Sequence, residues 1–471
     1  MQSTKVQGYR WDTGPSLLLL PQKYEDRRQP VAASGGSVSE NSPFLDAFKR
    51  LGSDIKKELN LKRVDPPYRV TFGDETFVDV DYDPMKMTEQ MEKFEPGCTS
   101  NYYRFLSVAR RMLDMGLERF VDRQFESWPE LVDPIGTARR CRDRQRDRKT
   151  RDERLRALFS FQTLYAARNT VAVAVAVGPW VDPSSPGGSA GWKNVKESLA
   201  GLANKHGVKI QTDTPVDEVL VSEGRAVGLK LRDGRVENGD VVVVNADTPY
   251  AYQKLLEHTP SQAEAPSVAE TSEDLDGREY SCGVIAFFWA VDCKVDYLRP
   301  SAWEPITEAA QMPERPNFYV HCPTRTDPSA APEGCESIMV LFPVANMQQM
   351  AEAGFTPGKK GELYRGLREQ ARKTVLKRFK EAGCGDLEKH IVEETVRDPE
   401  LIGELYNLQH GATFGLSHGL LPWQGGLAMT RPPPRAAEVR GPGLDRSRVL
   451  PGALKLGRFD AVRGVGEVDL V

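Results

Sequence analysis

A short segment near the start of the chain, GYRWDTGPSLLLLP at residues 8–21, combines charged, aromatic and turn-forming residues. Arg10 and Asp12 flank a tryptophan, and the Gly-Pro-Ser sequence at residues 14–16 precedes an apolar run. Such a turn can bring backbone amides close to a planar ligand and point an apolar face into a cavity. An ordinary turn with a surface ion pair is the alternative, and the residues alone leave both interpretations open.

Other motifs that would indicate a particular chemistry are missing. The sequence has no GxGxxG fingerprint for a dinucleotide diphosphate, no Walker A loop and no GxSxG nucleophile elbow. Its seven cysteines form no CxxC pair, which argues against a disulfide framework and a zinc site. Its six histidines form no HxxxH pair, so we predict no metal centre built from local motifs.

Residues 139–156 form a charged run with ten Arg or Lys and four Asp or Glu residues. The run could be a basic patch for anionic lipid headgroups or a partner. The interpretation we favour is a solvated helix face or loop.

The elements that would position these residues show two kinds of hydrophobic pattern, one with helical spacing and one typical of strands. Helical spacing is typical of residues 44–59, 84–127, 192–207 and 361–382. Strand-like runs lie at residues 68–80, 208–244, 283–291, 317–322, 336–343 and 390–396. Because strands and helices interleave, we predict an α/β class with α+β character.

The composition excludes several classes of protein. The 471 residues include 63 Lys and Arg against 67 Asp and Glu, so the formal net charge is −4. This balance lacks the excess of basic residues that is typical of a protein that binds nucleic acid. With 39% hydrophobic and 28% charged residues, the chain can bury a sizeable core. No apolar run approaches the ~20 residues of a membrane-spanning helix, and the start lacks the order of a signal peptide. We therefore expect an enzyme that is soluble or lies at a membrane surface.

The segment at residues 8–21 resembles the GYR-[FW]-D-x-GPS-LLL-P signature of the phytoene desaturases of bacteria and fungi, which belong to the flavin-dependent amine-oxidase-like superfamily. Four further blocks resemble the family in order. They are MEKFEPG at 91–97, TPVDEVLV to VVVVNADTPYAYQKLL at 214–256, FYVHCPTRTDPSAAPEG at 318–334 and NLQHGATFGLSHGL at 407–420. The resemblance covers about residues 8–165 and 186–431.

The resemblance implies a discontinuous, Rossmann-like FAD-binding domain, incomplete here, and a substrate domain with a mixed sheet and helices. We assign residues 1–21, 186–257 and 401–431 to the first domain and residues 22–185 and 258–400 to the second, membrane-facing one. The family's N-terminal GxGxxG unit and C-terminal flavin block have no counterpart in the sequence, so we expect weak FAD binding. Residues 432–471 are expected to be an aberrant or disordered tail.

The activity that the resemblance implies is the FAD-dependent desaturation of phytoene, an apolar C40 polyene, by hydride transfer to the flavin. The substrate would come from a membrane to which the enzyme binds peripherally, and a quinone or oxygen would accept the electrons. The strands at 283–291 and 336–343 are candidates for the walls of a substrate tunnel, with ordinary core strands as the alternative. An inactive truncated or mis-spliced homologue and a related carotenoid isomerase or lipid oxidoreductase are the alternative functions.

The resemblance also implies residues that bind the cofactor. Those beside the flavin ring would be Arg10, Asp12, Gly14, Pro15 and Ser16. Val216 would contact the adenine through its backbone, and Asn245 and Ala246 would end the strand that leads back to the cofactor. His410 and His418 are candidates for acid–base work, with Asp12 as the alternative and hydrogen-bonded packing as the favoured role of both histidines. The catalytic residue stays unknown, and no metal is implied.

Overall fold

The computed structural model describes most of the chain in separate ranges. The described residues are 3–6, 8–13, 48–63, 66, 68–72, 74–81, 83–116, 152–160, 181–184, 192–223, 225–258, 268–295, 301–303, 316, 318–355, 358–417, 438–441 and 444–448.

The strands belong to one large sheet and four small ones. They are β1 (Ser3–Val6), β2 (Tyr9–Asp12), β3 (Asn60–Arg63), β4 (Tyr68–Thr71), β5 (Phe77–Val80), β6 (Val181–Ser184), β7 (Val216–Ser222), β8 (Arg225–Leu231), β9 (Val236–Asn238), β10 (Gly283–Val291), β11 (Ser301–Trp303), β12 (Tyr319–His321), β13 (Glu336–Val344), β14 (Ile391–Arg397), β15 (Glu438–Gly441) and β16 (Leu444–Arg448).

The helices lie between these strands. They are α1 (Ile55–Glu58), α2 (Pro84–Met91), α3 (Thr99–Gly116), α4 (Glu153–Ser160), α5 (Trp192–Lys205), α6 (Thr248–Tyr250, continued by a π-helical turn, Ala251–Leu255), α7 (Val268–Asp276), α8 (Met347–Glu352), α9 (Arg365–Glu381) and α10 (Pro399–Tyr406). Short 3-10 turns cover Pro323–Arg325, Pro328–Ala330, Leu387–His390 and Gln409–Gly411. Among the described residues, no helix has the length and apolar character needed to cross a membrane.

The large sheet has seven strands in the order β14-β10-β13-β12-β11-β4-β5. Its strands pair antiparallel except for β11 and β4, which are parallel. The centre is the pairing of β10 with β13, in which Gly283 lies opposite Val344 and Val291 opposite Glu336. The apolar runs that predicted strands at 283–291 and 336–343 are therefore confirmed as strands, and the predicted α/β class with a mixed sheet is confirmed as well.

Alternate residues of β10 point to opposite faces of the sheet, as the strand period requires. Ile285, Phe287 and Trp289 pack against one side of α9, where Ala371, Val375 and Phe379 are buried. This is the apolar side of the helix that the sequence predicted at 361–382. Full burial of each large apolar side chain stabilises the fold by about 1.5–3 kcal/mol.

The opposite face of β10 presents smaller side chains. Ala286 and Ala290 lie on either side of Phe288 there, and all three belong to a cluster that also contains residues of α2, α3 and α4. The rings of Phe105 in α3 and Phe159 in α4 meet at 4.8 Å between centroids. We call this aromatic-rich cluster the helical face of the sheet.

A separate antiparallel sheet, β7-β8-β9, confirms the strands predicted around the Asp233-Gly234 turn. Two other predictions in this region are wrong. Residues 208–211 contribute only a single β-bridge position, and the apolar run at 241–244 is not a strand either. Val242 and Val244 are nevertheless buried while Val243 is exposed, so the run keeps the strand period without a continuous ladder.

Two predicted helices have different boundaries in the structure. The helix predicted over 84–127 is two helices, α2 and α3, with a non-helical connection at residues 92–98, and residues 117–127 lie outside the described part. The helix predicted over 44–59 is interrupted near Gly52 (φ 72°), and only residues 48–50 and α1 are described as helical. In the tail, β15 and β16 form a hairpin. Most of residues 432–471 lies outside the described residues, so the expectation of disorder there stays a prediction.

Candidate functional site

The first block of the resemblance folds as the hairpin of β1 and β2. Tyr9 and Trp11 are buried, while Arg10 and Asp12 are half-buried, which follows the alternation of a strand with one covered face. The ring of Trp11 stands edge-on to Phe288 on the helical face, with 6.2 Å between centroids. Its Nε1–H is buried and has no hydrogen-bond partner among the described residues. The first block therefore packs onto the centre of the large sheet and leaves a donor there unused.

Arg10 joins the first block to the block at 318–334. Its guanidinium forms an ion pair with Asp327, and both side chains are largely buried. Asp327 also caps the 3-10 turn Pro328–Ala330, where it accepts hydrogen bonds from the amide (3.1 Å) and the hydroxyl (2.7 Å) of Ser329. The backbone N–H of Arg10 donates to Ser337 Oγ at 3.4 Å. The guanidinium and the carboxylate thus hold the hairpin in place by a charge-assisted contact.

The block at 407–420 contacts the two regions that the resemblance assigns to the cofactor. The hydroxyl of Tyr406 donates to Thr13 Oγ1 at 3.2 Å, directly after Asp12. Three residues along, the N–H of Gln409 donates to a carboxylate oxygen of Asp247 at 3.1 Å, directly after Ala246. This short segment consequently bridges the hairpin and the end of the 241–246 run.

The segment after α10 has an unusual backbone. Asn407, His410, Gly411 and Gly415 all have positive φ, at 55°, 56°, 64° and 70°. A non-glycine residue adopts this conformation at a cost, and such residues concentrate at functional sites. At Gly411 a Cβ atom would lie 2.2 Å from the carbonyl oxygen of Pro399, so only glycine fits. We call residues 407–415 the left-handed loop.

His410 lies in this loop with its ring edge-on to Tyr280, at 4.9 Å between centroids. Its Nε2 is buried without a hydrogen bond and lies 3.7 Å from a carboxylate oxygen of Asp276. Burial lowers the pKa of His410 below its ordinary value, and the nearby carboxylate opposes this only partly. The ring of His410 packs on Tyr280, but its Nε2 makes no hydrogen bond within the described part, so the favoured role of hydrogen-bonded packing stays a prediction. Thr413 Oγ1 is a second buried polar atom of the loop with no partner there.

The lowered pKa of His410 predicts a dependence of stability on pH. Between the folded pKa and the unfolded value of 6.5, the unfolded chain binds a proton that the folded protein does not. The free energy of unfolding should therefore fall as the pH drops from neutral to about 5.5. His410→Asn, which tolerates positive φ, should remove this part of the decline when urea unfolding is followed at several pH values. An unchanged pH profile in the variant would contradict the burial of a neutral imidazole.

The other residues assigned by the resemblance lie as follows. Val216 begins β7 and is half-buried in a cluster that also includes Ala246, so these two are brought together. Asn245, next to them, is exposed. Gly14, Pro15, Ser16 and His418 lie outside the described residues. The roles assigned to all of them stay predictions.

The contacts that sequence reasoning missed are Arg10 with Asp327 and Tyr406 with Thr13. No local spacing could have revealed them, because their partners lie more than 300 residues apart. Their only signal was that both partners of each pair lie in or directly beside a matched block.

Comparison with known proteins decides the family. The family described as flavin-containing amine oxidoreductase matches residues 1–381. The chain belongs to this family. It is similar to phytoene desaturase of Cercospora nicotianae, at 29% identity over 98% of this chain and 77% of the relative. It is equally similar to a zeta-carotene-forming phytoene desaturase of Myxococcus xanthus, over 88% of this chain and 76% of the relative. It is thus a phytoene desaturase-like oxidoreductase.

A solved structure supports the fold. An oxidoreductase from Methanosarcina mazei superposes with a TM-score of 0.50 at 15% identity, over 84% of this chain and 79% of the other. At this identity the likeness shows the fold alone, and it agrees with a mixed α/β architecture.

Family membership supports FAD as the cofactor of this flavin-containing oxidoreductase. Among the described residues, Trp11 Nε1 and Thr413 Oγ1 are buried polar atoms without hydrogen-bond partners, the kind of atom that a bound ring could pair with. The diphosphate half is different, since the sequence contains no glycine-rich GxGxxG turn whose amides would bind it. The expectation of weak FAD binding stays a prediction.

Proposed function

We propose that this protein catalyses the FAD-dependent desaturation of phytoene or a similar apolar polyene, by oxidation of a CH–CH unit to a double bond. The observation that carries the proposal is the meeting of the matched blocks around the left-handed loop. Tyr406, the last residue of α10, contacts Thr13 of the hairpin, and Gln409 of the loop contacts Asp247 after the 241–246 run, so the end of α10 and the loop together join these two regions. The relatives named phytoene desaturase support the choice of substrate.

The helical face of the sheet is the candidate wall for an apolar substrate. The other face of β10 and β13 is covered by α9, and on the helical face Ala286, Phe288 and Ala290 are buried in a cluster with residues of α2, α3 and α4, so a polyene would lie between the sheet and these helices. On that face the small side chains of Ala286 and Ala290 flank Phe288, which contacts Trp11 of the hairpin. A wall of this kind would present aromatic and methyl groups to a polyene directly beside the segment that the resemblance places at the flavin ring.

When bound, the flavin supplies a ring that accepts a hydride, so the protein must position the substrate, exclude water and manage one proton. His410 is the candidate for the proton because burial lowers its pKa and keeps the imidazole neutral near neutral pH. Asp12, half-buried at the end of β2, is the alternative. A quinone or oxygen as electron acceptor and peripheral attachment to a membrane surface belong to the same proposal.

The proposal is tested with the purified full-length chain, added FAD and phytoene in liposomes without nicotinamide. We expect new long-wavelength absorbance from a more extended conjugated polyene. Strict dependence on NAD, or no reaction while FAD is bound, would refute it. Conversion of geometric isomers only after anaerobic reduction of the flavin would instead identify an isomerase.

Thr413→Val gives a sharper version of the same test. The hydroxyl of Thr413 has no partner within the described residues, so its removal should leave the free energy of unfolding unchanged within about 0.5 kcal/mol. If the hydroxyl serves the cofactor, the variant should bind added FAD with a larger dissociation constant than the wild type in a fluorescence titration. Thr214→Val, which removes a hydroxyl bonded to the carbonyl of Thr212 in an exposed turn, is the control. Equal dissociation constants in all three proteins would remove Thr413 from the site.

A further inference from the structure

Three side chains that can bind metals meet at the C-terminal end of β10, next to the edge strand β14. They are Asp292, Cys293 and His390, and one ligand atom of each lies within 4.8 Å of the other two. The Nδ1 of His390 is 2.8 Å from a carboxylate oxygen of Asp292. Cys293 is half-buried, whereas the other two side chains are about half exposed. This trio lies outside the contacts described for the left-handed loop.

The backbone explains why these residues meet. The antiparallel ladder between β10 and β14 has an irregularity at Ala290 and Val291, after which Val291 pairs with Ile391. The N–H of Asp292 then donates to the carbonyl of His390 at 3.0 Å. His390 ends a 3-10 turn that Leu387, buried under the sheet, holds against the core. Both sides of the cluster are therefore fixed by the fold.

We propose that Asp292, Cys293 and His390 bind a Zn²⁺ ion that links the ends of β10 and β14. A thiolate, an imidazole nitrogen and a carboxylate oxygen are the ligands that zinc takes in proteins, and three protein ligands leave a fourth tetrahedral position for water. Because His390 lies 97 positions after Cys293, no short sequence motif indicates the site. The sequence-based prediction was that the protein has no metal site, and this proposal departs from it.

Asp292 brings a negative charge to the cluster, and its carboxylate, 2.8 Å from Nδ1 of His390, is the group that a bound cation would neutralise. The nearby Glu336 is already paired with Lys294 and Arg325.

Cobalt is the probe for the experiment, because Co²⁺ occupies zinc sites and a cobalt–thiolate bond absorbs in the near ultraviolet. Purified full-length protein, with its thiols reduced and without chelator, is titrated with Co²⁺ and then with Zn²⁺. We expect a saturable charge-transfer band at one cobalt per chain that Zn²⁺ abolishes. Cys293→Ser should lose the band. His390→Gln should weaken Co²⁺ binding by more than the ~10–100-fold typical of the loss of an outer-shell partner.

Cys384→Ser is the matched control, because Cys384 is a half-buried thiol that is not in the cluster. A band that survives in Cys293→Ser, or its absence from the wild type, would overturn the proposal. If Cys293→Ser does not fold, alkylation of the wild-type protein decides the question. Zn²⁺ should slow modification of Cys293, read by peptide mass spectrometry, and leave the rate at Cys384 unchanged. Equal rates at Cys293 with and without Zn²⁺ would also overturn the site.

Discussion

Glu336→Ala is expected to lower the free energy of unfolding by about 3–5 kcal/mol, the cost of breaking a buried ion pair by removing one partner. The side chain of Glu336 is fully buried at the start of β13. One carboxylate oxygen lies 3.0 Å from the Arg325 guanidinium and 3.7 Å from the Lys294 ammonium. The other accepts hydrogen bonds from Thr324 and, at 3.0 Å, from the thiol of Cys322.

The reason for so large an effect is what the substitution leaves behind. Burial raises the pKa of Cys322 to about 12, so its thiol stays a donor, and without Glu336 this donor and the Thr324 hydroxyl lose their shared acceptor. The partly buried Arg325 also loses its counter-charge. Urea unfolding followed by circular dichroism measures the difference. Glu333→Ala, three residues earlier and exposed, is the control, and a loss at Glu336 no larger than at Glu333 would contradict the prediction.

Gly411→Ala is expected to cost about 2–5 kcal/mol. The left-handed conformation of a residue with a side chain costs roughly 1–2 kcal/mol, and overpacking adds about 1–3 kcal/mol. Both terms apply because φ is 64° and the new Cβ would lie 2.2 Å from the Pro399 carbonyl oxygen and 2.7 Å from its carbon. Backbone cannot move aside as a flexible side chain can, so the left-handed loop or α10 must shift.

Gly383→Ala separates the two causes. Gly383 also has a positive φ, 86°, but a Cβ there would meet no atom within 4 Å. It should show only the conformational cost of about 1–2 kcal/mol. If the two variants unfold at the same urea concentration, the close approach of Gly411 to Pro399 does not contribute. If Gly411→Ala also retains less FAD, the geometry of the loop matters for the cofactor.

The sequence predicted the elements that have a strong period of their own. β10 is a continuous apolar run that is buried on both faces, and the spacing of Ala371, Val375 and Phe379 buries one face of α9, so the pattern indicates the strand and the helix. The run at 241–244 has the same apolar character but is not a strand, because a strand also requires a partner ladder that its own residues do not encode. The predicted helix boundaries were wrong where a turn interrupts the helical spacing, as at residues 92–98.

From the sequence, the candidate site could be predicted only as a set of blocks that resemble the family, without the contacts between them. That Arg10 matters followed from the resemblance, but its partner Asp327 depends on how the hairpin packs against the large sheet. The left-handed conformation of His410 could not be predicted from the sequence, because even histidine, which is enriched there, adopts it only occasionally. The trio at the end of β10 likewise depends on the register of β10 with β14, which a single sequence does not specify.

The ion pair of Arg10 with Asp327 has a consequence for synthesis of the chain. The two residues are 317 positions apart, and Ser337, the acceptor for the Arg10 amide, is 327 positions away. At about 5–20 residues per second, the ribosome makes Asp327 roughly 15–65 s after Arg10. During that time Tyr9 and Trp11 have no sheet to pack against. The nascent hairpin should therefore be bound by chaperones that recognise apolar segments, and faster translation should shorten its exposure.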